Sequence, residues 1–157
     1  MPRALLIDQT LGRLAPWLRA LGFDAARTHS TDLLRALHEA RAAGRVLLTR
    51  NRRASERPDA IVVTEEILDR QLAEMRAGVL GREELRLGTR CMECNAALAP
   101  LSREAAAPRV PPYVHATQTA FRECPGCRRV YWRATHWSGI EARLRRTGWL
   151  EAPPPLE

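Results

Sequence analysis

The sequence predicts an α/β fold, a parallel sheet covered by helices on both faces in three layers, followed by a C-terminal zinc ribbon. Three observations carry this prediction. Residues 4–7, 46–48 and 60–63 are short apolar runs without polar alternation, which suits strands buried on both faces. Segments with apolar residues at helical spacing lie between and after them, and strand–helix alternation implies a parallel sheet. Beyond about Leu87 the pattern breaks, and all four cysteines of the chain lie there as two CxxC pairs.

The chain has 157 residues, enough for one good core, or for a domain of about 100 residues with a small appendage. Apolar residues make up 45%, as in a globular protein. No apolar run is long enough to span a membrane. The N-terminus lacks the apolar stretch and cleavage site of a secretory signal, so a cytoplasmic protein is expected. Net charge is +7, and all 25 basic residues are arginine. GC-rich coding produces such a bias, yet it also supplies guanidinium forks suited to phosphate. The charge favours a polyanionic partner.

The first strand ends at Asp8. In open α/β sheets the functional crevice lies at the carboxyl ends of the strands, so this carboxylate is placed to hold a metal or a substrate. It serves equally well as a cap for the turn that follows. Leu11, Leu14, Ala15, Leu18 and Leu21 predict a helix over 10–21, capped by Thr10 and stopped near Gly22. Pro16 either kinks this helix or delays its start, because it removes the bond to the Gly12 carbonyl. Residues 23–28 form a weak strand. Ser30-Thr31-Asp32 then opens a second helix, with Leu33, Leu34, Leu37 and Ala40 on one face and Gly44 at its end. Asp32 in that position favours the helix dipole with or without a chemical duty.

The strand at 46–48 runs into Thr49-Arg50-Asn51-Arg52-Arg53, and another follows at 60–63. Thr64 is expected to cap a helix with Glu65 and Glu66 in its first turn and Leu68, Leu72, Met75 and Val79 on its buried face. Neither GxGxxG after Asp8 nor GxxxxGK is present, which weighs against a nucleotide cofactor. What gathers at the strand ends is Asp8, Asp32 and Asn51, with Arg13, Arg50, Arg52 and Arg53 nearby. Carboxylates that collect hard divalent cations beside phosphate-binding arginines suit phosphodiester hydrolysis. Asn51 has a second reading as the cap of a following short helix.

The cysteines form Cys91-Met92-Glu93-Cys94 and Cys124-Pro125-Gly126-Cys127. Two such knuckles let four thiolates close tetrahedrally around a structural zinc. Redox CxxC motifs or disulfides are the competing readings, and a cytosolic setting with two matched pairs argues against both. His115 and His136 could each replace a ligand. The Ala/Pro-rich stretch 105–112 is expected to be an extended excursion. Phe121, Val130, Tyr131 and Trp132 should form strands around the second knuckle, with Tyr131, Trp132 and Trp137 in a small core or, beside Arg128, Arg129 and Arg133, against RNA. A short helix follows at Ile140 and Leu144, then a frayed tail from Glu151.

The chain resembles the Mut-seven C-terminal RNase domain family, a PIN-like nuclease fold joined to a zinc ribbon. The resemblance covers nearly all of it. It rests on Asp8-Gln9-Thr10-Leu11-Gly12-Arg13-Leu14-Ala15, Trp17-Leu18-Arg19-Ala20-Leu21-Gly22 and Val46-Leu47-Leu48-Thr49-Arg50. In the C-terminal half it rests on both CxxC pairs, Pro111-Pro112-Tyr113-Val114, Val130-Tyr131-Trp132-Arg133 and Thr135-His136-Trp137. The resemblance implies a metal-dependent ribonuclease. Asp8 matches its first acid and Asp32 the acid that opens its second helix. The sequence departs at Asn51, where the family usually carries Asp, and at Pro16, where Arg is usual.

The expected organisation is a PIN-like nuclease domain over 1–87, a zinc-ribbon domain over 88–150 and a disordered tail over 151–157. Asp8, Asp32 and Asn51 would position one or two Mg²⁺ or Mn²⁺ ions, and Arg13, Arg50, Arg52 and Arg53 would bind RNA. The ribbon is also available to another protein. The alternatives are a non-catalytic RNA- or ribosome-binding module, in which Asn51 marks lost activity, and a partner-binding adaptor.

Overall fold

A computed structural model describes residues 2–133 and 135–151, apart from the side chains of Thr135 and His136. The expected tail therefore lies, beyond Glu151, outside the described residues. Strands β1 (Leu5–Ile7), β2 (Ala25–Arg27), β3 (Val46–Thr49) and β4 (Ala60–Val62) form one parallel sheet in the order β2-β1-β3-β4. Ile7 pairs with Arg27 on one side and Leu48 on the other. Side chains alternate across the sheet, so Leu5, Ile7 and Leu48 enter one apolar cluster while Leu6 and Leu47 enter another. Both faces are covered, which is why β1 reads as an unbroken apolar run.

Helices α1 (Ala15–Ala20) and α3 (Leu68–Ala77) cover the first face through Leu18, Leu72 and Met75. Helix α2 (Leu33–Ala42) covers the second through Ala36, Leu37 and Ala40. Leu34, expected on that buried face, is 69% exposed. It sits outside the 33, 36, 37, 40 stripe that meets the narrow apolar strip of Leu6 and Leu47.

Three expected local features differ. Thr10 does not cap a helix: Asp8 caps a 3-10 turn (Gln9–Leu11), and α1 starts only at Ala15. Pro16 lies in the first turn of α1, where its missing N–H leaves no bond unmade, so it delays the helix without kinking it. Gly22 does end it, at φ +99°, and a Cβ there would stand 2.4 Å from the Arg86 carbonyl oxygen. Thr64 does not cap α3. Its N–H and hydroxyl donate to the Glu74 carboxylate, as does the Glu65 N–H. Burial pushes the Glu74 carboxyl up, and these donors outweigh it and hold it below the ordinary value. Val79, expected on the buried face, falls past the helix end at Gly78 and is 43% exposed.

In the C-terminal half, β5 (Ala99–Leu101), β6 (Phe121–Glu123) and β7 (Val130–Tyr131) form an antiparallel sheet in the order β5-β6-β7. Trp132 follows β7 rather than extending it. The stretch 105–112 is helical where an extended excursion was expected. Helix α4 (Arg103–Ala106), a 3-10 turn (Ala107–Arg109) and α5 (Pro112–Thr117) succeed one another. Ser102 caps α4 by accepting the Ala105 N–H, and the prolines sit in first turns, where helices tolerate them. Ala106, Val110 and Val114 then pack with Phe121 in a third cluster.

Helix α6 (Thr135–Arg146) has 12 residues and packs on the parallel sheet, although sequence spacing groups it with the ribbon. Ile140, Leu144 and Trp149 join the cluster of Leu5 and Ile7. Trp149 meets Phe23 edge-on at 6.1 Å, and its Nε1 donates to the Leu72 carbonyl at 2.9 Å. A second tie is polar. Arg19, only 4% exposed, donates to the carbonyls of Ala25, Met92 and Glu93, each at 2.9 Å. Asn95 accepts the Ala25 N–H at 2.8 Å and donates to Asp24 at 2.6 Å.

Two outcomes follow for stability. Replacing Arg19 with Met leaves three carbonyls at the seam without their donor and should cost about 3 kcal/mol in chemical denaturation. A loss under about 1 kcal/mol would mean that water replaces the guanidinium there. Asp24 gives a pH signature. Burial pushes its carboxyl up, but the bonds from Arg45 and Asn95 outweigh this and set it below its usual 3.8. A depressed carboxylate adds stability that is complete above its unfolded pKa and is lost as pH falls through the folded value. Between about pH 5 and pH 2 the native chain should therefore lose stability more steeply than Asp24→Asn. Parallel pH curves would remove Asp24 from the acid response.

Candidate functional site

Asp8 stands at the carboxyl end of β1, one residue past the Ile7–Leu48 pair. Its own N–H bonds the Leu48 carbonyl at 3.1 Å, which continues the ladder with β3. Its carboxylate takes three donors. Thr10 gives its backbone N–H at 2.9 Å and its hydroxyl to Oδ1, and the buried Thr49 gives its hydroxyl to Oδ2. Thr49 in turn accepts the Asn51 N–H at 3.0 Å. Asp8 and Asn51 are thus joined through Thr49, across the ends of adjacent strands.

The side chain of Asn51 is committed locally. Its Oδ1 accepts the Arg53 N–H at 3.0 Å and caps a 3-10 turn (Arg52–Ala54). Asp32 is exposed and caps α2 in the same manner, accepting the Arg35 N–H at 2.9 Å. It lies at the same end of the sheet, past β2, but no hydrogen bond among the described residues joins it to Asp8 or Asn51. All three side chains present oxygen, the donor that hard divalent cations prefer, and an oxygen that accepts one N–H keeps a second lone pair. In donor chemistry they fit such an ion.

A cleft of about 610 Å³ opens beside this strand end, with Thr10, Arg13, Arg27, Glu66 and Gln71 among its lining. Arg13 is exposed and has no ion-pair or hydrogen-bond partner among the described residues. Arg27 donates to the Gly12 carbonyl at 2.5 Å. Arg50 is half-buried and pairs with Glu66 at 3.3 Å, while its Nε is buried without a partner. Arg52 and Arg53 are exposed on the 3-10 turn. From the sequence Thr10 was read only as a helix cap and Glu66 only as a first-turn acid, and neither Thr49 nor Arg27 was singled out. Thr49 carried a usable signal, a hydroxyl ending the VLLT strand. Arg27 carried none, because only strand pairing sets it beside Ile7.

The four cysteines lie with their sulfurs all within 4.8 Å of one another. Among the described residues they are the one group of three or more Cys, His, Asp or Glu side chains close enough to share an ion. Cys91 and Cys127 Sγ are 3.6 Å apart and Cys94 and Cys124 Sγ 3.1 Å. A tetrahedral zinc with bonds of about 2.3 Å sets sulfur–sulfur edges of about 3.8 Å, whereas a disulfide needs about 2.05 Å. The knuckles repeat one geometry. Asn95 and Arg128, each just past its second cysteine, adopt φ of +73° and +66°. Cys94 N–H meets Cys91 Sγ at 3.5 Å, and Cys127 N–H meets Cys124 Sγ at 3.4 Å. This cluster can hold a metal such as zinc.

The Tyr131 hydroxyl adds a donor at 3.0 Å from Cys91 Sγ. Burial pushes the Cys91 thiol up, but this hydroxyl and the N–H groups of Cys94 and Glu93 outweigh it and bring the thiol down to about 6. The same partnership, with burial foremost, raises Tyr131 above the ordinary phenol range. His115 does not belong to this group, and its Nε2 lies 3.1 Å from the Arg103 carbonyl. The side chain of His136 lies outside the described residues.

Because Asn95 and the Met92 and Glu93 carbonyls tie the first knuckle to β2 and α1, metal loss should be felt across the whole chain. The purified protein is expected to carry about one zinc. Its removal by chelation, or by Cys124→Ser, should lower the midpoint of a single unfolding transition. Elemental analysis without zinc, or a parallel sheet that melts unchanged after chelation, would overturn this.

No helix among the described residues is long and apolar enough to cross a membrane. No curated protein and no solved structure matches the chain significantly. A family model described as Mut7-C RNAse domain matches residues 3–144, which takes in Asp8, the strand ends, both knuckles and most of α6. On that match, joined to a parallel α/β sheet and a four-cysteine cluster, the chain belongs to the Mut7-C RNAse domain family, a membership that implies a nuclease-type enzyme.

Proposed function

We propose that the chain is a metal-dependent ribonuclease with a PIN-like N-terminal domain over 1–87 and a zinc ribbon over 88–150. The observation that carries this reading is Asp8, held by Thr10 and Thr49 at the carboxyl end of the inner strand β1, beside an arginine-lined cleft in a chain of an RNase family. Asp8, Asp32 and Asn51 would hold one or two Mg²⁺ or Mn²⁺ ions through oxygen. When bound, such an ion supplies an activated water and offsets charge on the phosphate.

The chain's own residues account for the rest. Thr10 and Thr49 fix the orientation of the Asp8 carboxylate by donating to both of its oxygens. Arg13 has free guanidinium donors at the cleft wall, and Arg50 has a spare buried Nε–H, so both suit phosphate oxygens. Arg52 and Arg53, exposed on the next turn, extend the positive strip along the RNA backbone. The cysteines close the ribbon, which is also open to a protein partner. A second reading, an RNA-binding module without catalysis, is favoured by one observation. One Asp32 oxygen already caps α2, and the one Asn51 oxygen already caps a 3-10 turn.

Asn51 separates the two. An amide ligates through its carbonyl oxygen but adds no negative charge, so the native site should need high Mg²⁺ or Mn²⁺ and cleave slowly. Asn51→Asp preserves the cap, since both residues cap equally well. Asn51→Asp should reduce the Mn²⁺ concentration for half-maximal cleavage about tenfold, as one added charge near the ion warrants. Asp8→Asn should abolish cleavage. Identical Mn²⁺ curves for native and Asn51→Asp would restrict position 51 to capping. Undiminished cleavage by Asp8→Asn would sink the nuclease site.

A further inference from the structure

We propose that the seam between the two halves is a second nucleic-acid site, where bases of single-stranded RNA stack between aromatic walls. The inference rests on RNA as the polymer the chain acts on and says which part of the RNA this part of the chain holds. The seam is a cavity of about 600 Å³ that shares no lining residue with the Asp8 cleft. Its walls belong to different cores. Met92 and Trp137 pack against the cluster of the parallel sheet. Leu101, Phe121 and Trp132 pack against or within the cluster of the ribbon. The two cores do not merge, and the gap between them stays open and apolar.

The rim is basic. Arg90, Arg122 and Arg133 line it, and Glu141 is the one acid in the lining. Glu141 is already engaged, accepting the Trp137 indole N–H at 2.9 Å and an Arg133 N–H at 2.7 Å. A ligand with planar apolar faces and anionic links satisfies such a gap. Its faces lie against Trp132 and Trp137, and its phosphates meet Arg122 and Arg90. Single-stranded RNA has that form, because every unpaired base presents a π-face for stacking. A duplex does not, since its bases are paired and stacked internally. The volume lies within the range of small-ligand pockets, enough for a short stretch of bases only. Arg90 and Arg122, which have no carboxylate partner among the described residues, favour RNA over an apolar peptide.

The test uses the full zinc-loaded chain without added Mg²⁺ or Mn²⁺, so that binding is read independently of cleavage. Fluorescence anisotropy compares labelled single-stranded oligoadenylate, an abasic ribose–phosphate oligomer of equal length, and polyglutamate. The native chain should bind oligoadenylate about tenfold more tightly than the abasic oligomer. Trp132→Ala should erase that preference without weakening the abasic oligomer, and Trp132→Phe should restore most of it. Arg122→Glu, on the exposed rim, should weaken both oligomers and reduce the salt slope by about one. Arg122→Glu decides the matter alone if Trp132→Ala fails to retain zinc. Equal affinity of native and Trp132→Ala chains for oligoadenylate overturns the proposal. So does an unchanged salt slope for Arg122→Glu, or polyglutamate binding as tight as RNA, which would assign the seam to an acidic protein partner. A chain that binds RNA in this pattern but cleaves nothing with Mn²⁺ would lose the nuclease reading and keep this one.

Discussion

The buried guanidinium of Arg19 is the interaction on which the two halves depend. A charge so enclosed is tolerated only when its donors are met, and here three carbonyls meet them. One carbonyl belongs to β2 at the edge of the parallel sheet, and two belong to the first cysteine knuckle. Asn95 repeats the tie from the other side, joining the knuckle to Ala25 and Asp24. The left-handed backbone at Asn95 is itself a product of the CxxC turn. The geometry that gathers the thiolates therefore also presents the amide that locks onto β2. Helix α6 completes the coupling by entering the core of the sheet with Ile140 and Leu144.

At the other end of β1, every candidate ligand has a structural duty. Asp8, Asp32 and Asn51 each follow a strand or loop and each caps the next turn. This coincidence has a physical basis. Where a parallel strand ends, the chain turns into a helix whose first N–H groups need acceptors. The short oxygen-bearing side chains that satisfy those N–H groups are also the ones hard cations select. The Asp32 carboxylate can divide the labour, with one oxygen for the cap and the other for an ion, and the Asp8 oxygen that takes the Thr49 hydroxyl keeps a lone pair. An amide has one oxygen for both tasks, which is why position 51 limits such a site more than either aspartate does.

The same physics explains what could be read in advance. Strand β1 and the turn at Asp8 were legible because a fully buried strand admits no polar alternation. The cysteine cluster was legible because its spacing carries its geometry. Helix starts were misjudged at Thr10 and Thr64, where a hydroxyl before an apolar run looks like a cap. The first yields to Asp8 and Pro16 and the second to Glu74, partners that only folding supplies. Residues 105–112 looked extended from their prolines, yet prolines in first turns start helices. Thr49, Arg27 and the packing of α6 depend on pairings between distant segments, and no local pattern encodes them.

Charge is distributed to match. An all-arginine surface would be diffusely positive, but many of its guanidiniums are spent on carboxylates. Arg3 pairs with Glu83, Arg41 with Asp59, Arg45 with Asp24, and Arg143 and Arg146 with Asp69. Arg13, Arg52 and Arg53 have no such partners among the described residues, and they stand at the carboxyl ends of β1 and β3. Arg35, Arg70, Arg82 and Arg129 also lack carboxylate partners among the described residues, so the strand end at Asp8 holds three of the unpaired guanidiniums and not all of the excess charge. The field of those three is felt within about a Debye length, 8 Å at physiological salt. Neutralising those carboxylate-paired arginines would alter stability more than RNA affinity. Neutralising Arg13, Arg52 and Arg53 would do the reverse.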